Sequence, residues 1–246
     1  MSKSVFRVTT ACLFLVGFLA DNAFSQVPVE SEVRQIVTFS FLPGKFGDAL
    51  TIYRDQAVQL YKSNPAMLSV RGFREVESPI PLDLIVVSAF KSMAGMDESN
   101  STLRTIATDA GTSIGAIYGG IASFSSGHTD QFVEMLPALG AGDPSSRRLT
   151  AFIWYDILPG QSESFEEILE STTVPWEKKS GIPSATGRFL VSDGWNYLRL
   201  VGFDSLGDYQ EYWSLLNEVA GHSQIAGLTV RRREVIVASV SSLSVR

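Results

Sequence analysis

Asp156 is the side chain best placed by its neighbours to do acid–base chemistry. It closes the alternating segment Phe152-Ile-Trp-Tyr-Asp-Ile157, in which residues two apart share a face. Trp154 therefore lies on its side. A carboxyl held out of water against an indole has a raised pKa and can act as a general base. An acid at a strand end that is solvated or paired with an arginine does no such work, and both readings stay open. His128, in Ser125-Ser-Gly-His-Thr129, is the second catalytic candidate. An imidazole can move a proton or ligate haem iron, but one that follows glycine also serves as a cap or surface group. His222, after Gly221, reads the same way, and the chain has only these two histidines.

The binding candidates come from the same alternation. Ile36, Thr38 and Ser40 in one segment match Phe152, Trp154 and Asp156 in another. This mixed polar and aromatic face is expected to line a cleft for a small apolar or aromatic molecule. Trp154 would stack on a flat substrate or serve as plain core. Arg74, Arg188 and Arg199 fall within segments that read as central strands, where a charge needs a partner or a ligand. Arg188 and Arg199 stand on the two arms of one hairpin, so an anionic substrate group would account for them; so would ion pairs to Asp156 or Glu75, the preferred reading. The expected substrate-binding set is thus Thr38, Ser40, Phe152, Trp154, Arg188 and Arg199, with Asp156 and His128 catalytic.

Other chemistries are disfavoured. Residues 1–25 read as a secretory signal peptide, with Lys3 and Arg7, the apolar run Ala11 to Ala20, and Ala23-Phe-Ser25 before the cleavage point. The run is too short to span a bilayer, which needs about 20 apolar residues. An exported protein, periplasmic or extracellular, without a membrane span after cleavage is expected. Cleavage removes Cys12, the one cysteine, and with it disulfides, thiol nucleophiles and Cys-based metal sites. Two histidines with no acid motif beside them predict no metal site, and no cofactor is expected. The remaining segment carries 18 basic and 25 acidic side chains, a net −7, a poor match for nucleic acid. Gly115-Ala-Ile-Tyr-Gly-Gly120 follows no strand, so it is no phosphate loop.

The elements that must position these residues come as a repeat. Val37-Thr-Phe-Ser-Phe-Leu-Pro-Gly44 matches Ile153-Trp-Tyr-Asp-Ile-Leu-Pro-Gly160, Gly72 matches Gly187, and Ala89-Phe-Lys-Ser-Met93 matches Gly202-Phe-Asp-Ser-Leu206. Each copy reads as strand, helix, strand, strand, helix, strand. In the first, strands at 35–42, 68–77, 83–90 and 129–137 surround helices at 46–63 and about 93–124. In the second, strands at 149–157, 185–192, 196–203 and 230–240 surround a helix from Ser162, broken or kinked at Pro175, and one at 206–219. A turn at Ser78-Pro-Ile-Pro81 and the hairpin signal Asp193-Gly194 join the middle strands. The domains are 34–138 and 148–241, with a turn-rich, mobile linker at 139–147. The fold class is α+β: two tandem ferredoxin-like βαββαβ units whose antiparallel sheets pack as a pseudo-dimeric barrel with helices outside. Val37, Phe39 and Phe41, with Ile153, Tyr155 and Ile157, should face the helices. The Gly-rich stretch, with Ile114, Ile117, Tyr118 and Ile121, suggests a lid or contact surface with no equivalent in the second copy.

A strand ending in Leu-Pro-Gly, an amphipathic helix, a glycine in the second strand and a Phe-x-Ser helix entry resemble the dimeric α/β-barrel superfamily, and the tandem form resembles NIPSNAP proteins. The resemblance implies a small-molecule protein with cofactor-free monooxygenase-like or isomerase-like activity, a non-catalytic interaction module or, more remotely, a haem protein. Because one chain carries both sheets, a monomer or weak homo-oligomer is expected.

Overall fold

The chain was studied as a computed structural model that describes residues 31–77 and 83–245. The leader and the Ser78–Pro81 turn lie outside these residues. The first unit contains β1 (Val33–Phe41), α1 (Phe46–Ile52), α2 (Val58–Lys62), β2 (Ser69–Glu77), β3 (Leu84–Phe90), α3 (Met93–Asp109), α4 (Ile114–Ala122) and β4 (Ser125–Met135). The second contains β5 (Leu149–Ile157), α5 (Ser162–Ile168), α6 (Val174–Ser180), β6 (Ser184–Val191), β7 (Tyr197–Phe203), α7 (Leu206–Leu216), α8 (His222–Leu228) and β8 (Thr229–Val245). The strands form one closed antiparallel barrel in the order β1-β3-β2-β8-β5-β7-β6-β4. Each unit contributes four neighbouring strands in the ferredoxin-like order, and the units meet at β2–β8 and β4–β6. Closure removes every sheet edge.

The Leu-Pro-Gly signals end β1 and β5. Gly44 and Gly160 take positive φ, 75° and 79°, a conformation other residues reach only with strain. The matched Gly72 and Gly187 have a different role, one at each junction between units. A Cβ on Gly72 would stand 2.5 Å from Leu243 Cβ, and one on Gly187 would stand 2.2 Å from Val133 Cγ1 and 2.9 Å from the Glu134 carbonyl oxygen. The strand glycines thus let the last strand of the other unit pack close. β8 extends well past residue 240, and its end places Leu243 in the core of the first unit.

The first helix of each unit contains a π-helical turn at corresponding positions, Tyr53–Ala57 and Leu169–Thr173. Pro175 was expected to break or kink its helix; instead it sits in the first turn of α6, directly after the π turn. Gln59 occupies the corresponding place in the first unit, so proline is not the cause of the turn. The linker was expected to be mobile, but it is docked. Gly202 lies against Pro144, and Arg147 bonds Asp204 and the Gly181 carbonyl. The second unit also carries α8 where no counterpart to α4 was expected. Leu42 N–H donates to the Phe124 carbonyl as Leu158 N–H donates to the Leu228 carbonyl, which makes the two helices equivalent.

The face assignment of the first strands holds. Val37, Phe39 and Phe41 pack under the helices of the first unit, and Ile153, Tyr155 and Ile157 under those of the second. The opposite face fills the barrel. Ile36, Phe73, Ile85, Val133, Phe152, Trp154, Leu198, Leu200, Val235 and Val237 form one buried cluster there. The space between the sheets is therefore a packed core along its middle, not the cleft expected from the sequence. Two four-stranded sheets each leave an apolar face, and inward side chains of this size close the gap.

Candidate functional site

The predicted site residues are divided among four places. Thr38, Ser40 and Trp154 do meet, with His128, at one open mouth of the barrel. Trp154 is buried, and its indole N–H donates to Gln131 Oε1 at 3.0 Å. Phe152 lies deeper in the core and borders the opposite mouth, edge-on to Phe73 at 5.3 Å. Asp156 is ion-paired to Arg231 at 2.9 Å, and Arg231 stacks over Trp195. Arg188 and Arg199 do not join the others. Alternation along β6 and β7 turns both to the helix side, where Arg188 pairs with Glu166 at 2.5 Å and Arg199 with Glu177 at 2.8 Å. Neither arginine uses Asp156 or Glu75, the partners considered from sequence.

A cavity of about 460 Å³ lies between the outer face of the first unit's sheet and its own helices. Strand pairing explains why it is there. Val37 opposes Val86 as Ile153 opposes Arg199, and Phe39 opposes His128 as Tyr155 opposes Arg232. Ser92 and Ser205 cap α3 and α7 alike, so Asn100 corresponds to Trp213. In the second unit Arg199 and Trp213 fill the space. Trp213 stacks on Arg232 at 4.2 Å and donates to Glu234 at 3.2 Å. In the first unit Val86 and Asn100 stand there and the volume stays open.

The cavity is polar at two places. On the sheet side Asp130 accepts from Gln35 at 2.8 Å and lies 3.3 Å from His128 Nε2. On the helix side Tyr53, Tyr61 and Tyr118 present three phenols. Tyr61 and Tyr118 hydrogen-bond each other, whereas the buried Tyr53 hydroxyl has no partner. Burial is the main cause that raises all three above the ordinary phenol value, Tyr53 and Tyr61 well above it, so they are neutral donors rather than phenolate bases. Val37, Phe39, Val86 and Ile121 supply the apolar walls. Ile117, Tyr118 and Ile121 of α4 turn inward onto this core, so their apolar face is already occupied. Tyr53 and Tyr61 were missed as site residues because they lie at ordinary core spacing, Tyr118 was read as part of a lid or contact surface, and Asp130 looks like any exposed strand acid. Only the tyrosines' lack of a match in the second unit (Leu169, Glu177 and His222 stand there) marks them, while Asp130 is matched by the acid Glu234.

Haem does not fit these residues. Among the residues lining the cavity, Asp130 carries the one carboxylate and no lysine or arginine is present to meet two propionates. His128 Nε2 is turned to Asp130. His222 sits in the filled unit beneath Trp213, at 6.0 Å between rings. Among the described residues no cluster of three or more His, Cys, Asp or Glu could hold a metal, and no helix is long and apolar enough to cross a membrane.

His222 has a measurable consequence of its own. Burial, then the charges of Arg199 and Arg232, push its pKa down to about 4. The unfolded imidazole protonates near 6.5. Between these values the unfolded state binds more protons, so stability is intact above about pH 6.5 and falls as pH drops toward 4. Urea unfolding at pH 7 and pH 4 should show the wild type losing about 2 kcal/mol more than His222→Phe over that window. Equal losses would mean that the imidazole is solvated.

Comparison with family models and with curated protein sequences returned no match. Solved structures do match. A monooxygenase-like protein from Fusobacterium nucleatum subsp. nucleatum aligns at TM-score 0.62 and 10% identity, over 86% of this chain and 93% of that one. An anthrone oxidase-like protein aligns at 0.59 and 9%, over 88% and 93%. A mutant chlorite dismutase from Candidatus Nitrospira defluvii aligns at 0.58 and 11%, over 87% and 93%. At these identities the likeness establishes the fold alone: the chain has the dimeric α+β-barrel architecture.

Proposed function

We propose that this chain is an exported, NIPSNAP-like protein that binds a neutral, flat aromatic molecule bearing a hydroxyl or carbonyl oxygen. The site is the cavity of the first unit rather than the space between the sheets. One observation carries the reading: Val86 and Asn100 keep open a volume that Arg199 and Trp213 close in the other unit. The polar groups set the ligand class. The Asp130 carboxylate accepts from a ligand hydroxyl, and the Tyr61–Tyr118 pair uses one of its two protons internally, leaving the other for a ligand oxygen. An anion is disfavoured by Asp130 and by the lack of a lysine or arginine in the lining. Asp130 can take the hydroxyl proton: the ligand O–H bond breaks and the proton moves to the carboxylate, beside which His128 Nε2 lies at 3.3 Å. Proteins described as monooxygenase-like and anthrone oxidase-like share the fold, which is in keeping with an aromatic ligand.

The test is to refill the cavity as the second unit does. Titration with 1-naphthol and 1,4-naphthoquinone should show saturable binding to the wild type. Asn100→Trp should weaken it about a hundredfold or more while keeping or raising Tm, because a void is filled with apolar area. Undiminished binding in a folded Asn100→Trp protein would place the ligand elsewhere.

A further inference from the structure

We propose that the barrel mouth bounded by Thr38, Trp154 and Arg233 is a second ligand site, for a small carboxylate, with Arg233 as its anchor. This mouth is an open volume of about 320 Å³ at the end of the barrel where β1 and β5 finish. Arg233 enters it from β8, opposite Trp154 in the strand register, with its guanidinium 5.0 Å from the indole. Its neighbours in sequence are compensated. Arg231 has Asp156 and Arg232 has Glu234. At the opposite mouth Arg34 has Glu32 and Arg71 has Asp143.

Arg233 differs. Among the described residues it forms no ion pair, and its Nε and Nη2 have no hydrogen-bond partner. Those two atoms form one edge of the guanidinium, the fork that receives a carboxylate with two parallel bonds. A half-buried guanidinium with that edge unused carries a desolvation cost that a bound carboxylate would offset. Burial lowers its pKa while Glu75 favours the charge from further away. Both edge atoms are covered in this conformation, so engagement requires a turn of the terminal torsions, a small cost for arginine.

The other walls fit the same ligand. Thr38 and Thr129 join their hydroxyls, which uses one proton and leaves one for a ligand oxygen. Trp195 and Trp154 give flat apolar surfaces for the rest of the molecule. Thr129 occupies in the first unit the place that Arg233 holds in the second. The arginine is therefore on one side only; Asp193, the one carboxylate in the lining, repels an anion from its own part of the rim, so a single carboxylate has a single orientation, toward Arg233.

The experiment uses the full chain and benzoate as probe, read by tryptophan fluorescence and calorimetry, with benzyl alcohol and benzylamine as controls. Saturable benzoate binding is expected, and in the Asn100→Trp protein, where the aromatic cavity is closed, both controls should bind weaker by about tenfold or more. Arg233→Gln should lose about tenfold or more in affinity. Arg233→Met should lose binding and yet melt at an equal or higher temperature, because an unpaired half-buried charge has been removed; that result separates loss of the site from loss of the fold. Asn100→Trp should leave benzoate binding unchanged, which keeps this site distinct from the aromatic cavity. Absence of saturable benzoate binding to the wild type, or unchanged affinity in Arg233→Gln, would overturn the proposal.

Discussion

Glu177→Leu is expected to destabilise the protein by about 4 kcal/mol in urea unfolding at pH 7. The carboxylate is fully buried and holds a network. It accepts twice from Arg199 Nη2 at 2.8 Å, from the Tyr212 hydroxyl at 2.8 Å and from the Ser184 hydroxyl at 2.5 Å. Burial opposes the charge on Arg199, but Glu177, with Tyr212 and Tyr155, outweighs it and holds that guanidinium above its ordinary pKa. Leucine would leave a buried arginine with no counter-charge and two hydroxyls without an acceptor. The paired replacement Glu177→Leu with Arg199→Met removes both charges together. It should recover most of the loss, since similar apolar volume can replace a buried ion pair at little cost. If the double variant were as unstable as the single one, packing rather than charge would govern the site.

Gly187→Val should cost about 3 kcal/mol, a result of crowding rather than of lost contact. The added Cβ would overlap Val133 and the backbone oxygen of Glu134, where β4 of the first unit meets β6 of the second. A flexible side chain could give way, but strand backbone cannot. Because that junction closes the barrel, the strain falls on the contact between units. Calorimetric melting should therefore show a lower Tm than for Leu190→Val, a substitution at an exposed position of the same strand. Equal melting temperatures would show that β4 can shift at the junction.

Much of the frame was legible because it rests on local signals. Leu-Pro-Gly ends a strand wherever it falls, and the alternation of Val37, Phe39 and Phe41 assigns a face without knowledge of the partner. The two glycines were visible as a match, but their purpose was not, since Val133 and Leu243 lie far from them in sequence. The site was the least legible part. Trp154 and Asp156 drew notice by residue type, yet a buried indole on Gln131 and an acid on Arg231 account for them. Arg188 and Arg199 were correctly read as charges needing partners. Alternation alone could not say that the partners come from helices packed outside the barrel.

Asp156 therefore illustrates the limit of reading chemistry from residue type: its carboxylate is held by an arginine 75 residues away in the chain. What the sequence by itself determined was the order of elements, the inward and outward faces, and the inequality of the two units, because propensity, turn chemistry and period act over a few residues. Where an empty volume remains was decided only by tertiary structure. It depends on which side chains from different strands and helices reach the same space: Trp213 and Arg199 in one unit, Asn100 and Val86 in the other.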